Sequence, residues 1–274
     1  MYSVVILTLN EEKALPACLA SLGSCTDIVI LDSGSTDRTR DLALAAGARV
    51  ASRPFDSFAG QRNHAQSEIA FRHPWVLHLD ADERMTPALD QECRAVASSA
   101  PAETDGYRIA PHMIFRDRWI PHCTDYPAYQ ARFVRAPGFR FIQVGHGQRE
   151  APEMRMGDMK ASYLHDLSIY GTDSWLAKHR RYAKQEAASL LEGEGRERLS
   201  SLLSRDRLVR RRALKQLSVR LPLRPALRFA YQYGLRRGFL DGGPGFSYCL
   251  LLARYEGFVA AEIRSLRRKK PLES

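Results

Sequence analysis

The chain has 274 residues, 45% of them hydrophobic and 26% charged, which excludes wholesale disorder and is enough to bury a full core without disulfide staples. Its five cysteines are odd in number and form no Cys-x-x-Cys pair, so neither a disulfide framework nor a cysteine-based zinc knuckle is expected, and a reducing compartment is. The net charge of +10 is uneven: residues 1–170 hold 18 Lys+Arg against 21 Asp+Glu (net −3), and residues 171–274 hold 23 against 10 (net +13), which calls for a polyanionic partner on the second part.

Val4–Leu9 is a continuous aliphatic and β-branched run, the pattern of a strand buried on both faces. Glu11–Leu22 reads as a helix with Asn10 as N-cap and Pro16 in its early turns. Ile28–Leu31 is a second buried strand. Thr36 or Asp37 then caps a helix through Ala46, closed by Gly47 in a left-handed conformation. Arg49–Ser52 is a short strand, Gly60–Ile69 a helix and Trp75–Leu79 a fourth strand. This strand–helix alternation predicts an α/β fold with a mostly parallel open sheet and right-handed crossovers. From about 105 to 165 the pattern is irregular, with short strands at Tyr129–Val134, Phe139–Val144 and Tyr163–His165. Beyond Ser174 the chain reads as helical: Trp175–Leu191, Arg198–Arg220, Pro225–Gly238 and Tyr248–Arg268.

Open α/β sheets bind ligands beyond the carboxyl ends of their strands. Three polar clusters fall there: Thr8-Leu9-Asn10-Glu11-Glu12, Asp32-Ser33-Gly34-Ser35-Thr36-Asp37, and Asp80-Ala81-Asp82-Glu83. Each alone is explained as a helix cap. Together, at one edge, they describe a cleft. Asp80 and Asp82, one residue apart after a buried strand, suit a hard divalent cation, Mg²⁺ or Mn²⁺, that bridges a diphosphate. Asp32 is placed to read a base or ribose.

These motifs, with Phe58-Ala59-Gly60-Gln61-Arg62-Asn63, resemble glycosyltransferase family 2 with its GT-A fold, and within it the branch of lipopolysaccharide-core β-glucosyltransferases and related cell-envelope enzymes. Tyr126-Pro127-x-Tyr129-Gln130-x-Arg132-Phe133, Val144-Gly145-His146-Gly147, the segment from Trp175 to Tyr182 and Gly238-Phe239-Leu240-Asp241-Gly242 are similar to the same branch. The resemblance implies a nucleotide-diphospho-sugar donor, with UDP-glucose the analogy and other hexoses or a heptose open, and a glycolipid or oligosaccharide acceptor such as a lipopolysaccharide core. It implies donor contacts from Thr8, Asn10, Glu11, Asp32, Arg62 and Asp80. It implies a cation on Asp82 and Asp80, with His165 as a further ligand, and inversion by a carboxylate base. Glu150 and Asp125 are both candidates for that base. His146 is either an acceptor-side residue or a core histidine.

The expected division is a catalytic domain at 1–170, with its donor part at 1–104 and acceptor part at 105–170, and a basic helical extension at 171–274. No basic leader precedes Val4, and no stretch reaches the ~18 apolar residues of a spanning helix. The expected location is cytoplasmic, peripheral at the inner face of the cytoplasmic membrane, with the basic extension against anionic lipid. The alternative is an α/β nucleotide-binding protein whose extension binds nucleic acid. No nucleic-acid motif supports it, so no nucleic-acid partner is expected.

Overall fold

A computed structural model describes residues 1–144, 147–192 and 223–269. The helix expected at Arg198–Arg220 and His146 lie outside the described residues. The chain divides into two units: Met1–Trp119 with Asp125–Ile169, and Ile120–Thr124 with Tyr170–Ser274. A division at residue 170 alone leaves Ile120–Thr124 in the first part, whereas the structure groups it with the second.

The first unit is built on strands β1 (Ser3–Thr8), β2 (Ile28–Asp32), β3 (Arg49–Ser52), β4 (Trp75–Asp80), β6 (Gly106–Ile109), β9 (Gln130–Arg135) and β12 (Met156–Asp158). They form one seven-stranded sheet in the order β12-β6-β9-β4-β1-β2-β3. All run parallel except β9, which is antiparallel to both β4 and β6. The continuous apolar runs are explained by two buried faces. Val4, Ile6, Ile30, Leu77 and Leu79 enter one core with Trp75 and Phe133. Val5, Val29, Leu31 and Val76 enter another with Ala65 of helix α3 (Phe58–Glu68). Burying each such side chain stabilises the fold by about 1.5–3 kcal/mol. The register places Thr8 opposite Asp32 and Leu7 opposite Asp80, so the polar strand ends share one edge.

Helix α1 covers Leu15–Ser21, not Glu11–Leu22. Pro16 suits its first turn, where a missing N–H costs nothing. Asn10 does not cap it: it takes a left-handed φ of 57° and its Oδ1 accepts from Thr36 N at 2.8 Å. Helix α2 (Thr39–Ala45) starts after Asp37, which accepts from Thr39 N at 3.0 Å, and Gly47 follows its end with φ 77°. Helix α4 (Pro87–Ser99) was not expected. Thr86 caps it by accepting from Leu89 N at 3.2 Å. A second sheet, of strands β5 (Glu83–Arg84), β13 (Leu164–Asp166), β7 (His112–Phe115) and β8 (Arg118–Trp119), pairs His165 directly with Glu83. Strands β10 (Phe141–Val144) and β11 (Gly147–Glu150) form a hairpin tied to α3 by Asn63, which exchanges two hydrogen bonds with the Phe141 backbone.

In the second unit, helix α5 (Gly171–Glu192) packs Ala183, Ala187 and Leu190 against Val259 and Ile263 of helix α7 (Gly242–Lys269). Between them lie helix α6 (Arg224–Phe229), a π-helical turn at Ala230–Leu235 and a 3₁₀ turn at Gly238–Asp241. The buried Asp241 carboxylate holds the Ile120–Thr124 segment by accepting from the backbone N–H groups of His122 and Cys123 at 3.0 and 2.8 Å.

Candidate active site

The two loops after β1 and β2 are stitched to each other. Asp32 is fully buried. Its Oδ1 accepts from the hydroxyls of Thr8 (3.0 Å) and Ser35, and its Oδ2 from the N–H groups of Gly34 (3.1 Å) and Ser35 (2.9 Å). Burial raises the carboxyl's pKa, but the bonds from Ser35, Thr8 and Gly34 outweigh it, and the net value falls below the usual carboxylate range. Asn10 N donates to Ser35 Oγ at 2.9 Å and Glu11 N to Thr39 Oγ1 at 2.8 Å. Thr8, Asn10, Glu11 and Asp32 are thus brought together, with Asp32 as the organiser of both loops.

Asp32→Ala is expected to destabilise the protein by about 2 kcal/mol at neutral pH, because a charge-assisted acceptor is lost. The sign with pH follows from the depressed carboxyl. Its contribution is present above the unfolded-state pKa and is lost as pH falls through the folded value. Urea titrations should therefore show the wild-type advantage shrinking in acid. An advantage that grows in acid would refute this account.

At the end of β4 lies a buried ion network. Asp80 Oδ1 accepts from Arg62 Nη2 at 2.8 Å and Oδ2 from Arg132 Nη2 at 3.0 Å. The same Arg132 nitrogen donates to Glu83 Oε1 at 2.7 Å, and Arg132 Nε donates to Tyr163 Oη at 3.2 Å. Arg62 and Glu83 are 0% exposed. Burial would raise the Asp80 pKa, but Arg132 and Arg62 overcome it and hold the carboxyl well below its usual value. Burial, with Asp80 adding to it, pushes the Glu83 carboxyl up to about 7. Burial and the neighbouring Arg132 bring Arg62 down to about 10. Two further nitrogens of Arg62, Nε and Nη1, are buried with no partner among the described residues. Buried unpaired donors are costly, and an anion brought beside them relieves that cost.

Asp82 stands in the turn between β4 and β5, its side chain 26% exposed. His165 Nε2 lies 3.4 Å from Asp82 Oδ2, and its Nδ1 lies 3.7 Å from Glu83 Oε1. Burial lowers the His165 pKa, but the carboxylates of Asp82, Glu83 and Asp80 outweigh this and push it up to about 9.

The chain matches the family described as Glycosyl transferase family 2 over residues 3–143, more than half its length. The chain belongs to this family. It is 29% identical over 215 residues to the lipopolysaccharide core biosynthesis glycosyltransferase LpsC of Rhizobium meliloti (strain 1021), covering 73% of this chain and 76% of that protein. It is 34% identical over 98 residues to an uncharacterized glycosyltransferase of Rickettsia typhi, covering 35% of this chain and 33% of the relative. The crystal structure of S. aureus TarS 1–349 in complex with UDP-GlcNAc aligns with a TM-score of 0.43 at 15% identity, over 99% of this chain and 93% of that one. A likeness this distant says nothing about what this chain binds.

Within this family 2 glycosyltransferase, the two aspartates of the expected cation set stand in different surroundings. Both Asp80 oxygens accept from guanidinium groups, whereas Asp82 has His165 beside it. Among the described residues no group of three or more His, Cys, Asp or Glu side chains is arranged to hold a metal ion. A carboxylate with an adjacent imidazole does suit Mg²⁺ or Mn²⁺ when diphosphate oxygens complete the shell. Glu150 ends β11, with Oε1 3.6 Å from Arg108 Nη1. Its cross-strand partner is Phe141, whose ring centroid is 6.0 Å from the Arg62 guanidinium carbon. Asp125 is exposed, on the loop before Tyr126.

Sequence reasoning gave no role to Arg132 or Glu83. The register between β6 and β9 shifts at Tyr107/Arg108, whose partners are Phe133 and Ala131, leaving Arg132 as the extra, bulged residue. The bulge re-aims its side chain toward the ends of β4 and β5. A lone arginine inside the run Ala131–Val134 was the available signal.

Proposed function

We propose that this glycosyltransferase inverts at the anomeric carbon and moves a hexose, glucose-like, from a UDP-sugar to a lipopolysaccharide-core or related envelope glycolipid, with Mg²⁺ or Mn²⁺. The observation that carries the reading is Asp82 paired with His165 at the strand edge, next to Arg62 with its two unpartnered nitrogens. The glycolipid acceptor follows from the similarity to LpsC, and the uridine nucleotide from the branch that the motifs resemble.

In this scheme Asp32 reads the base once an N–H of the nucleobase displaces one of its two hydroxyl donors, and Thr8, Asn10 and Glu11 shape the same pocket. Asp80, fixed between two arginines, lies near the ribose and orients Arg62 toward the diphosphate. Asp82 and His165 hold the cation, which when bound offsets the charge that develops on the departing diphosphate. Glu150 removes the acceptor proton. It is favoured over Asp125 because cross-strand partners share a face, and the ring of its partner Phe141 faces Arg62. The basic second unit draws the enzyme to the inner face of the cytoplasmic membrane, where such an acceptor resides. Each Lys or Arg near an anionic leaflet contributes about 1 kcal/mol.

The test is steady-state transfer from a panel of UDP-hexoses to purified lipopolysaccharide core, with and without Mn²⁺. Glu150→Gln should lower turnover by about 10²–10⁴-fold with donor KM nearly unchanged. Unchanged turnover in Glu150→Gln, with loss in Asp125→Asn, would move the base to Asp125. No transfer from any UDP-hexose would end the donor assignment.

A further inference from the structure

The second unit exposes several large apolar side chains. Leu223 is 76% exposed, Leu227 48%, Tyr231 44% and Leu235 80%. These four recur every fourth residue through α6 and the π-helical turn. In an α-helix a row of every fourth residue drifts slowly round the axis. A π turn holds more residues per turn, because its hydrogen bonds reach one residue further. It reverses that drift, so the row stays on one side. The opposite side is the buried one: Arg224 pairs with Glu256 at 2.6 Å and Gln232 donates to Cys123 O at 2.6 Å.

Two exposed aromatics lie elsewhere in the same unit. Phe239 is 50% and Phe246 44% exposed. Their rings meet at Tyr233, at centroid distances of 6.3 and 5.6 Å, and Tyr233, two residues from both Tyr231 and Leu235, lies on another side of the turn, so these aromatics form a separate group. Exposed apolar side chains aligned on one side, as in the Leu227–Tyr231–Leu235 row, rather than scattered singly, mark an interaction site.

Its charge identifies the partner. Residues 223–250 contain four arginines and a single acid, Asp241. Asp241 is buried, whereas Arg237 is exposed and Arg228 and Arg236 are half-buried. No helix among the described residues is long and apolar enough to cross a membrane. An apolar face flanked among the described residues by Arg228 and Arg237, on helices too polar to span, fits the interface of an anionic bilayer.

We infer that the Leu227–Tyr231–Leu235 row inserts in the plane of an anionic membrane leaflet, with Arg228 and Arg237 at headgroup level. This deepens the proposed recruitment by charge: it rests on that reading for the kind of surface, and adds an apolar anchor that salt does not screen.

The test is flotation of the full chain with phosphatidylglycerol-containing vesicles and with phosphatidylcholine vesicles, at about 0.1 and about 0.5 M NaCl. Wild type should float with the anionic vesicles and remain substantially bound at high salt. Leu227→Glu/Leu235→Glu should lower partitioning at least about tenfold at both salt concentrations, with an unchanged melting temperature because both side chains are exposed. Arg237→Gln should weaken binding only at low salt. Binding of the double variant equal to wild type would overturn the insertion, as would complete release of wild type by salt. A dimer in solution that the double variant dissociates, with no flotation of wild type, would instead make the face a contact between two copies of this chain. Failure of every UDP-sugar to serve as donor leaves these flotation outcomes intact, so the two readings fail separately.

Discussion

Asp82→Ala is expected to lower sugar transfer by about a thousandfold while the melting temperature stays within a degree or two of wild type. The magnitude is that of removing one preorganised group that meets developing charge in the transition state. The indifference of the fold follows from the site. Asp82 lies in a turn, partly exposed, and its close partner is His165 at 3.4 Å. It fills no core position, and the His165 imidazole it leaves behind keeps Glu83 Oε1 3.7 Å from its Nδ1 and can lose its proton at neutral pH once its main counter-charge is gone. Asp80→Ala is expected to behave differently. It strips Arg62 and Arg132 of a shared counter-ion and should cost stability as well as activity. The two aspartates of one Asp-x-Asp tripeptide are therefore expected to separate, Asp82 into the proposed ligand and Asp80 into an anchor. Turnover and thermal melts of both variants, each with Mn²⁺ and with excess chelator, check this. Full activity of Asp82→Ala in chelator would sink the metal-assisted reading. Equal melting temperatures for the two variants would sink the division of labour between them.

The carboxyl edge was legible because strands buried on both faces write themselves as unbroken aliphatic runs. The run from Val4 ends at Thr8, that from Ile28 at Asp32, and that from Trp75 at Asp80, so the polar residues that follow could be placed at one edge without coordinates. Asn10 was misassigned because its side chain serves two uses equally well. Its amide oxygen can cap a following helix or clamp a neighbouring loop, and only the β2 loop, with Thr36 N within 2.8 Å, decides for the clamp. Thr86-Pro87 carried a readable cap-and-first-turn signal, and the helix that follows was overlooked rather than hidden. The Asp80–Arg132 contact was hidden. The partners are 52 residues apart, on antiparallel strands, and alternation along β9 assigns the wrong face to any residue at a bulge.

Arg132→Met is expected to be the most destabilising substitution at the site, by about 3–5 kcal/mol, because it leaves buried carboxylates without their cation. Arg132 is 3% exposed, and one of its nitrogens serves Asp80, Glu83 and Gln130 together, at 3.0, 2.7 and 3.0 Å. Methionine keeps much of the side-chain volume, so the loss measures charge rather than a cavity. Arg62 still covers Asp80 Oδ1 in the variant, whereas Glu83 loses its closest cation. At Glu83, already raised to about 7, the penalty is the cost of taking up a proton that Arg132 opposed; it grows as pH rises above that value, and Glu83→Gln, which needs no proton, should repair it there. The double variant Arg132→Met/Glu83→Gln is expected to recover at least about a third of the lost stability, a coupling of ~1–2 kcal/mol in a double-mutant cycle. Denaturant titrations of the four proteins measure that coupling directly. Strictly additive losses would mean that Arg132 acts on Asp80 alone and that Glu83 is carried by His165 instead. Because Asp80 in turn orients Arg62, the repaired double variant tests function as well. If the arginine pair exists to set the donor site, its stability should return while its donor KM stays raised. If the network only holds the fold together, both should return.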